Sequence, residues 1–162
     1  MAEQISPQEI LKIAIKVEEN GEKLYQALEA KAKDRKLKDL WKYLAGQEEE
    51  HRKVFSRMLD NITDYIVYEF SPGEYQAYLK AIAASYVFTQ GLVEKKINQG
   101  FRSDIEALDF AISIEKESIL VYTALKDYVI TAKQEILDRV INEEKSHFTQ
   151  LSSLKQSLGR RG

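Results

Sequence analysis

Apolar residues return every three or four positions along most of this chain, a period that predicts long helices. The first runs from Pro7 to about Ala32, with Leu11, Ala14, Glu18, Gly21, Tyr25, Leu28 and Ala32 on one face. Ser6 as cap, Pro7 in the first turn and Glu9 closing a capping box mark its start. The polar turn Lys33-Asp34-Arg35-Lys36 leads to a second helix, from about Leu37 to Asn61. Its inward stripe is Leu37, Leu40, Leu44, Glu48, His51, Phe55 and Met58, and Glu49 and Glu50 point elsewhere. A third helix opens at a second capping box, Ser103-Asp104-Ile105-Glu106, and runs to about Val129. It carries Leu108, Ala111, Glu115, Ser118, Tyr122 and Leu125 inward. Thr131 and Gln134 are expected to cap a fourth, reaching about Leu158, with Leu137, Val140, Glu144, His147, Leu151 and Leu154 inward.

Residues 62–101 break this rhythm. Thr63 to Phe70 is short and mixed, Ser71-Pro72-Gly73 reads as a turn, and Glu74 to Phe88 and Gln90 to Gln99 read as two shorter helices. A connection of about 40 residues is too long for a hairpin. It suits a crossover running the length of a bundle at about 1.5 Å per helical residue.

The two halves are copies of one another. Ala14 to Leu28 aligns without a gap on Ala111 to Leu125, six of fifteen positions being identical, Glu18 with Glu115 and Tyr25 with Tyr122 among them. In the following helices Glu48 and His51 recur as Glu144 and His147, 96 residues later. The pattern predicts an all-α four-helix bundle formed as one domain over residues 1–162. A first helical hairpin (about 7–61) and a second (about 103–158) are joined by the crossover (about 62–102).

Charge interrupts the apolar stripes only at Glu18, Glu48, His51, Glu115, Glu144 and His147. Both histidines of the chain are in this set, each three residues after a glutamate. Residues three apart on a helix share one side, about 4.5 Å apart along the axis. His51 can therefore bind one metal while Glu48 bridges to a second; His147 and Glu144 can do the same from the other repeat. Glu18 and Glu115 would be terminal carboxylates. Four carboxylates buried without cations are very costly, and two divalent ions balance them. Carboxylates with one imidazole per metal suit iron, with manganese as the other candidate. The same ligand pattern is the one described for di-iron and di-manganese bundles. Tyr25 and Tyr122, seven residues after a ligand glutamate, either pack in the core or hydrogen-bond a bridging carboxylate. Trp41, Tyr43 and Tyr78 read as packing residues.

Composition narrows the rest. Hydrophobic residues are 44% and charged residues 31%, with a net charge of −2 and no cysteine. Disulfides, thiolate metal sites and cysteine nucleophiles are thereby excluded. No basic footprint for nucleic acid and no membrane-spanning run is present. The N-terminal residues lack the blocks of a signal peptide, so a cytoplasmic location is expected.

On Glu18, Glu48, His51, Glu115, Glu144 and His147, the chain resembles the ferritin-like superfamily, and within it the rubrerythrin-type diiron proteins. The resemblance covers essentially the whole chain. It implies a homodimer binding two irons per bundle and reducing hydrogen peroxide or dioxygen, an external electron donor restoring Fe(II). Glu18 with His51 would hold one iron and Glu115 with His147 the other, with Glu48 and Glu144 between them. Gly21 and Ser118 would leave room for the oxidant. Full rubrerythrins append a rubredoxin domain with four cysteines, whereas this sequence has none. The glutamate they place one turn after the third-helix ligand is Ser118 here, with Glu117 off the stripe. This ligand set is closer to the symmetric one of ferritin-like oxidases. The alternatives are iron binding or sequestration without turnover, and a metal-free helical interaction module.

Overall fold

The computed structural model describes residues 4–65 and 73–160. In chain order the helices are α1 (Pro7–Lys31), α2 (Arg35–Asp60), α3 (Ile62–Tyr65), α4 (Gly73–Gln99), α5 (Asp104–Lys126) and α6 (Gln134–Gly159). A single 3-10 turn, Thr131–Lys133, precedes α6. α1 packs most extensively on α2 and α5 on α6, which makes each repeat a helical hairpin. α1 also faces α5, and α4 lies against both. No helix among the described residues is long and apolar enough to cross a membrane.

The helix starts follow from local chemistry. The Ser6 side chain accepts from the Glu9 amide, and the Glu9 carboxylate accepts from the Ser6 amide at 2.6 Å, closing the expected box. Asp34, expected within a turn, caps α2 by accepting from the Leu37 amide at 3.0 Å, so that helix begins two residues early. Ser103 caps α5, but the Glu106 carboxylate accepts from Arg102 rather than completing a box on Ser103. α5 stops at Lys126, short of Val129. The expected cap at Thr131 does not form. The α6 cap position is Lys133, which makes no side-chain bond. Gln134 instead donates its amide to the carbonyls of Lys126 and Val129, closing the end of α5.

The crossover differs from expectation in one respect. Residues 73–99 form one continuous helix, not two. The expected break at Thr89 does not occur, and Gly91 just beyond it is a surface position with nothing within 4 Å of where its Cβ would be. Its penalty of about 1 kcal/mol is outweighed by Leu79, Ile82, Tyr86 and Val93, which bury one unbroken face. Gly100, at φ +75°, ends the helix where a side chain would be strained. Gln76 pairs with both backbone groups of Ile5, and the Ile130 amide donates to the Tyr65 carbonyl at 2.8 Å. Ser71, Pro72 and the stretch 66–70 lie outside the described residues.

Two apolar clusters make up the core. One contains Ile10, Leu11, Phe55, Met58, Val121, Leu125, Leu137 and Val140. The other contains Leu24, Leu37, Trp41, Leu44, Leu108 and Leu151, with Trp41 stacked on Tyr25 at 5.7 Å. On every helix of the two hairpins, the acidic and histidine positions fall between the two clusters. Tyr43 and Tyr78, read as packing residues, are 47% and 41% exposed.

Candidate metal centre

Helical phase brings six polar side chains to one level of the bundle. Glu18, Glu48, His51, Glu115, Glu144 and His147 are each at most 2% exposed. Glu49 and Glu50, adjacent in sequence, turn outward and pair with Lys53 at 3.2 and 2.9 Å.

The six residues form two interlocking groups. Glu18, Glu48, His51 and Glu144 can each bring one ligand atom within 4.8 Å of the others, and so can Glu48, Glu115, Glu144 and His147. Glu48 and Glu144 belong to both. The two imidazoles lie 5.8 Å apart, nearly parallel. Both turn Nδ1 inward. His51 Nδ1 is 2.7 Å from Glu144 Oε1 and 3.6 Å from Glu18 Oε1. His147 Nδ1 is 3.4 Å from Glu144 Oε2, 3.7 Å from Glu115 Oε2 and 4.0 Å from Glu48 Oε1.

These approaches are close without being aligned as hydrogen bonds. Eight buried oxygen and nitrogen atoms of the six residues lack a hydrogen-bond partner, including both oxygens of Glu144 and Nδ1 of each histidine. Buried polar atoms are otherwise nearly always satisfied. Seven of the eight, all but His147 Nε2, face the centre, and such a concentration of donor atoms matches the needs of a cation pair.

Without metal, protons hold the charges apart. Burial pushes the carboxyls of Glu18 and Glu48 well above the ordinary range, and acidic neighbours push Glu48 further. Glu115 is pushed to about 8, first by burial and then by the Glu144 charge. Burial would lower both imidazoles, but facing carboxylates outweigh it. His51 is held at about 9 mainly by Glu144, and His147 at about 10 by Glu115 and Glu144. Glu144 alone is held below the usual carboxylate range. Burial opposes this, and contacts from Glu115, His147 and His51 overcome it. It is the anion at the centre of the cluster.

Tyr25 and Tyr122 each reach across to the other repeat. The Tyr25 hydroxyl donates to Glu115 Oε1, and the Tyr122 hydroxyl to Glu18 Oε1. Their partners are thus the outer glutamates, which neither core packing alone nor a bond to a bridging carboxylate, the two readings of the sequence, had named. Burial, and then the nearby carboxylates, raise both phenols well above their ordinary range, so each keeps its proton and remains a donor. The second oxygen of each outer glutamate is left unpartnered.

Three features departed from the sequence reading or escaped it. The space beside Gly21 is occupied: a Cβ there would lie 2.8 Å from Glu48 Oε2, so this glycine admits a carboxylate. Ser118 donates to its own helix, at the Ile114 carbonyl. Glu143, which looks like a surface residue beside Glu144, accepts from His51 Nε2 at 2.8 Å. Only its phase, turned toward α2, hints at this contact.

The rubrerythrin family model matches residues 9–155. A solved structure from Thermotoga maritima, of a protein assigned as ferritin-like diiron-carboxylate, matches with a TM-score of 0.69 and 28% identity. The match covers 96% of this chain and 98% of that one. No curated protein matches the chain. A ferritin-like helical bundle with this buried carboxylate and histidine cluster, matched over nearly its whole length, belongs to the rubrerythrin family.

Proposed function

We propose that the cluster holds two iron ions and that the protein is a diiron oxidoreductase reducing hydrogen peroxide or dioxygen. The observation that carries this reading is the set of seven unpartnered buried ligand atoms, His147 Nε2 set aside, in two four-residue groups sharing Glu48 and Glu144. Glu18 and His51 would hold one ion, Glu115 and His147 the other, with Glu48 and Glu144 bridging. Carboxylate oxygen with one imidazole nitrogen per ion favours iron, and manganese after it. Bound iron, moving between Fe(II) and Fe(III), supplies the electrons, and an external donor restores them.

The protein's own contribution is to hold the ligands in place and keep the site dry. Tyr122 and Tyr25 fix the rotation of Glu18 and Glu115 through one oxygen, leaving the other for the metal. Apolar layers on either side exclude bulk water, which strengthens charge interactions inside. The Thermotoga protein, assigned as diiron-carboxylate, supports the same reading.

Anaerobic Fe(II) titration followed by peroxide is the direct test. Two Fe(II) per chain, oxidised rapidly on addition of peroxide or dioxygen and again after each re-reduction, are expected. Fewer than two per chain, or no fast oxidation, overturns the proposal. A single load oxidised without further turnover would point to sequestration instead.

Gly21→Ala provides a finer test. Helix propensity alone favours alanine by about 1 kcal/mol, but the methyl group displaces the Glu48 carboxylate. Thermal unfolding of the metal-free variant should show little loss, while metal affinity falls about tenfold or more, within the range for disturbed ligand positioning. Unchanged metal uptake would mean that the Glu48 position is immaterial.

A further inference from the structure

The repeat that relates the two histidines does not relate what stands behind them. At the offset that pairs Glu48 with Glu144 and His51 with His147, Glu143 corresponds to Gln47. Glu143 accepts from His51 Nε2 at 2.8 Å while His51 Nδ1 faces the centre. His147 also turns Nδ1 inward, yet its Nε2 is buried without a partner. The Gln47 side chain, half-buried, makes no hydrogen bond among the described residues. The Tyr43 ring packs nearly perpendicular to His147, the ring centroids 6.0 Å apart.

A carboxylate that accepts the outer N–H of an imidazole keeps the inner lone pair aimed at the metal, fixes the ring and makes it a stronger donor. We propose that Glu143 makes the two metal positions unequal, the one formed with Glu18 and His51 binding its ion more tightly and filling first. This rests on the six residues being metal ligands, as proposed above. Glu143 touches no metal in this scheme; it is a positioning residue acting through His51. Its side chain is 42% exposed, so the link also brings one end of the centre to the protein surface.

Anaerobic Co(II) titration followed by visible absorption tests the inequality in single-site variants. His147→Ala leaves the position backed by Glu143, and His51→Ala leaves the other. The first should bind cobalt about 10–100-fold more tightly, the usual effect of such a partner. Adding Glu143→Gln to His147→Ala should remove that advantage, and adding it to His51→Ala should change little. Gln47→Glu in the otherwise unaltered protein supplies the missing carboxylate and should tighten the weaker of the two binding steps. This arm does not depend on the histidine variants folding. Equal affinities in the two single-site variants, equal effects of Glu143→Gln in both, or no tightening by Gln47→Glu overturn the inference while leaving the metal centre intact. If the unaltered protein binds no cobalt, both readings fall together.

Discussion

Replacing Glu144 with glutamine is expected to abolish tight metal uptake at both positions at once. Glu144 belongs to both four-residue groups and lies nearer the imidazoles than any other inner carboxylate, at 2.7 and 3.4 Å. Glutamine keeps the shape but removes the charge. Loss of a shared anionic ligand should weaken each position by about 100-fold or more, at or beyond the upper end for outer ligand partners. The metal-free protein should suffer as well. Two raised imidazoles face this one depressed carboxylate, and breaking a buried ion pair costs about 3–5 kcal/mol. Glu48→Gln separates the two effects. Glu48 is shared in the same way, but burial, followed by the charges of Glu18 and Glu144, keeps its carboxyl protonated in the metal-free protein. Its amide should lose metal with little loss of stability. Elemental analysis after anaerobic reconstitution, with thermal unfolding in chelator, checks both. Two metals retained in Glu144→Gln would refute the shared-ligand assignment.

Raising pH should destabilise the metal-free protein and strengthen its grip on metal. His51 at about 9 and His147 at about 10 stand above the ordinary 6.5, so their contribution is complete below pH 6.5 and lost through 9 to 10. Glu115 at about 8 against 4.5 has the same sign, its penalty growing between those values. Glu18 and Glu48, also raised, add to it. Glu144 runs the other way, its stabilisation being lost only as pH falls below 4.5. The metal-free melting temperature should therefore fall between pH 5 and pH 10. A drop on the order of 10 °C corresponds to a few kcal/mol in a chain of this size. Metal takes the place of these protons, so the loaded protein should show a much flatter profile, and binding should release protons. Melting curves in chelator and with metal, taken across that range, decide it. A metal-free profile that stays flat or rises with pH contradicts the charge arrangement described for the cluster.

Legibility in the sequence followed physical range. The stripes of α1, α2, α5 and α6 were readable because a buried face repeats at the helical period, and charged residues at Glu18, Glu48, Glu115 and Glu144 stand out against it. Their convergence was readable because duplication puts two copies of each position into one bundle. Boundaries were harder. Asp34 caps a helix through one bond to Leu37, and Gln134 works backward onto α5; either residue could equally stand in a turn. α4 was divided at Thr89, although Leu79, Ile82, Tyr86 and Val93 continue one face across that point. The Glu143 contact with His51 and the Tyr25 contact with Glu115 were out of reach for a different reason. Each joins residues 90 or more positions apart, on helices whose rotation about their axes only packing decides.

The division of the core into two apolar clusters with a polar level between them bears on how the helices are aligned lengthwise. A purely apolar bundle tolerates sliding, because one leucine layer resembles the next. Here a slide of one turn, about 5.4 Å, would carry a glutamate out of the polar level and into the neighbourhood of Phe55 and Leu125 or of Trp41 and Leu108. Each displaced carboxyl would lose its partners in a dry setting, at several kcal/mol. The acidic level thus acts as a ruler, setting the height of four helices against one another before any metal arrives.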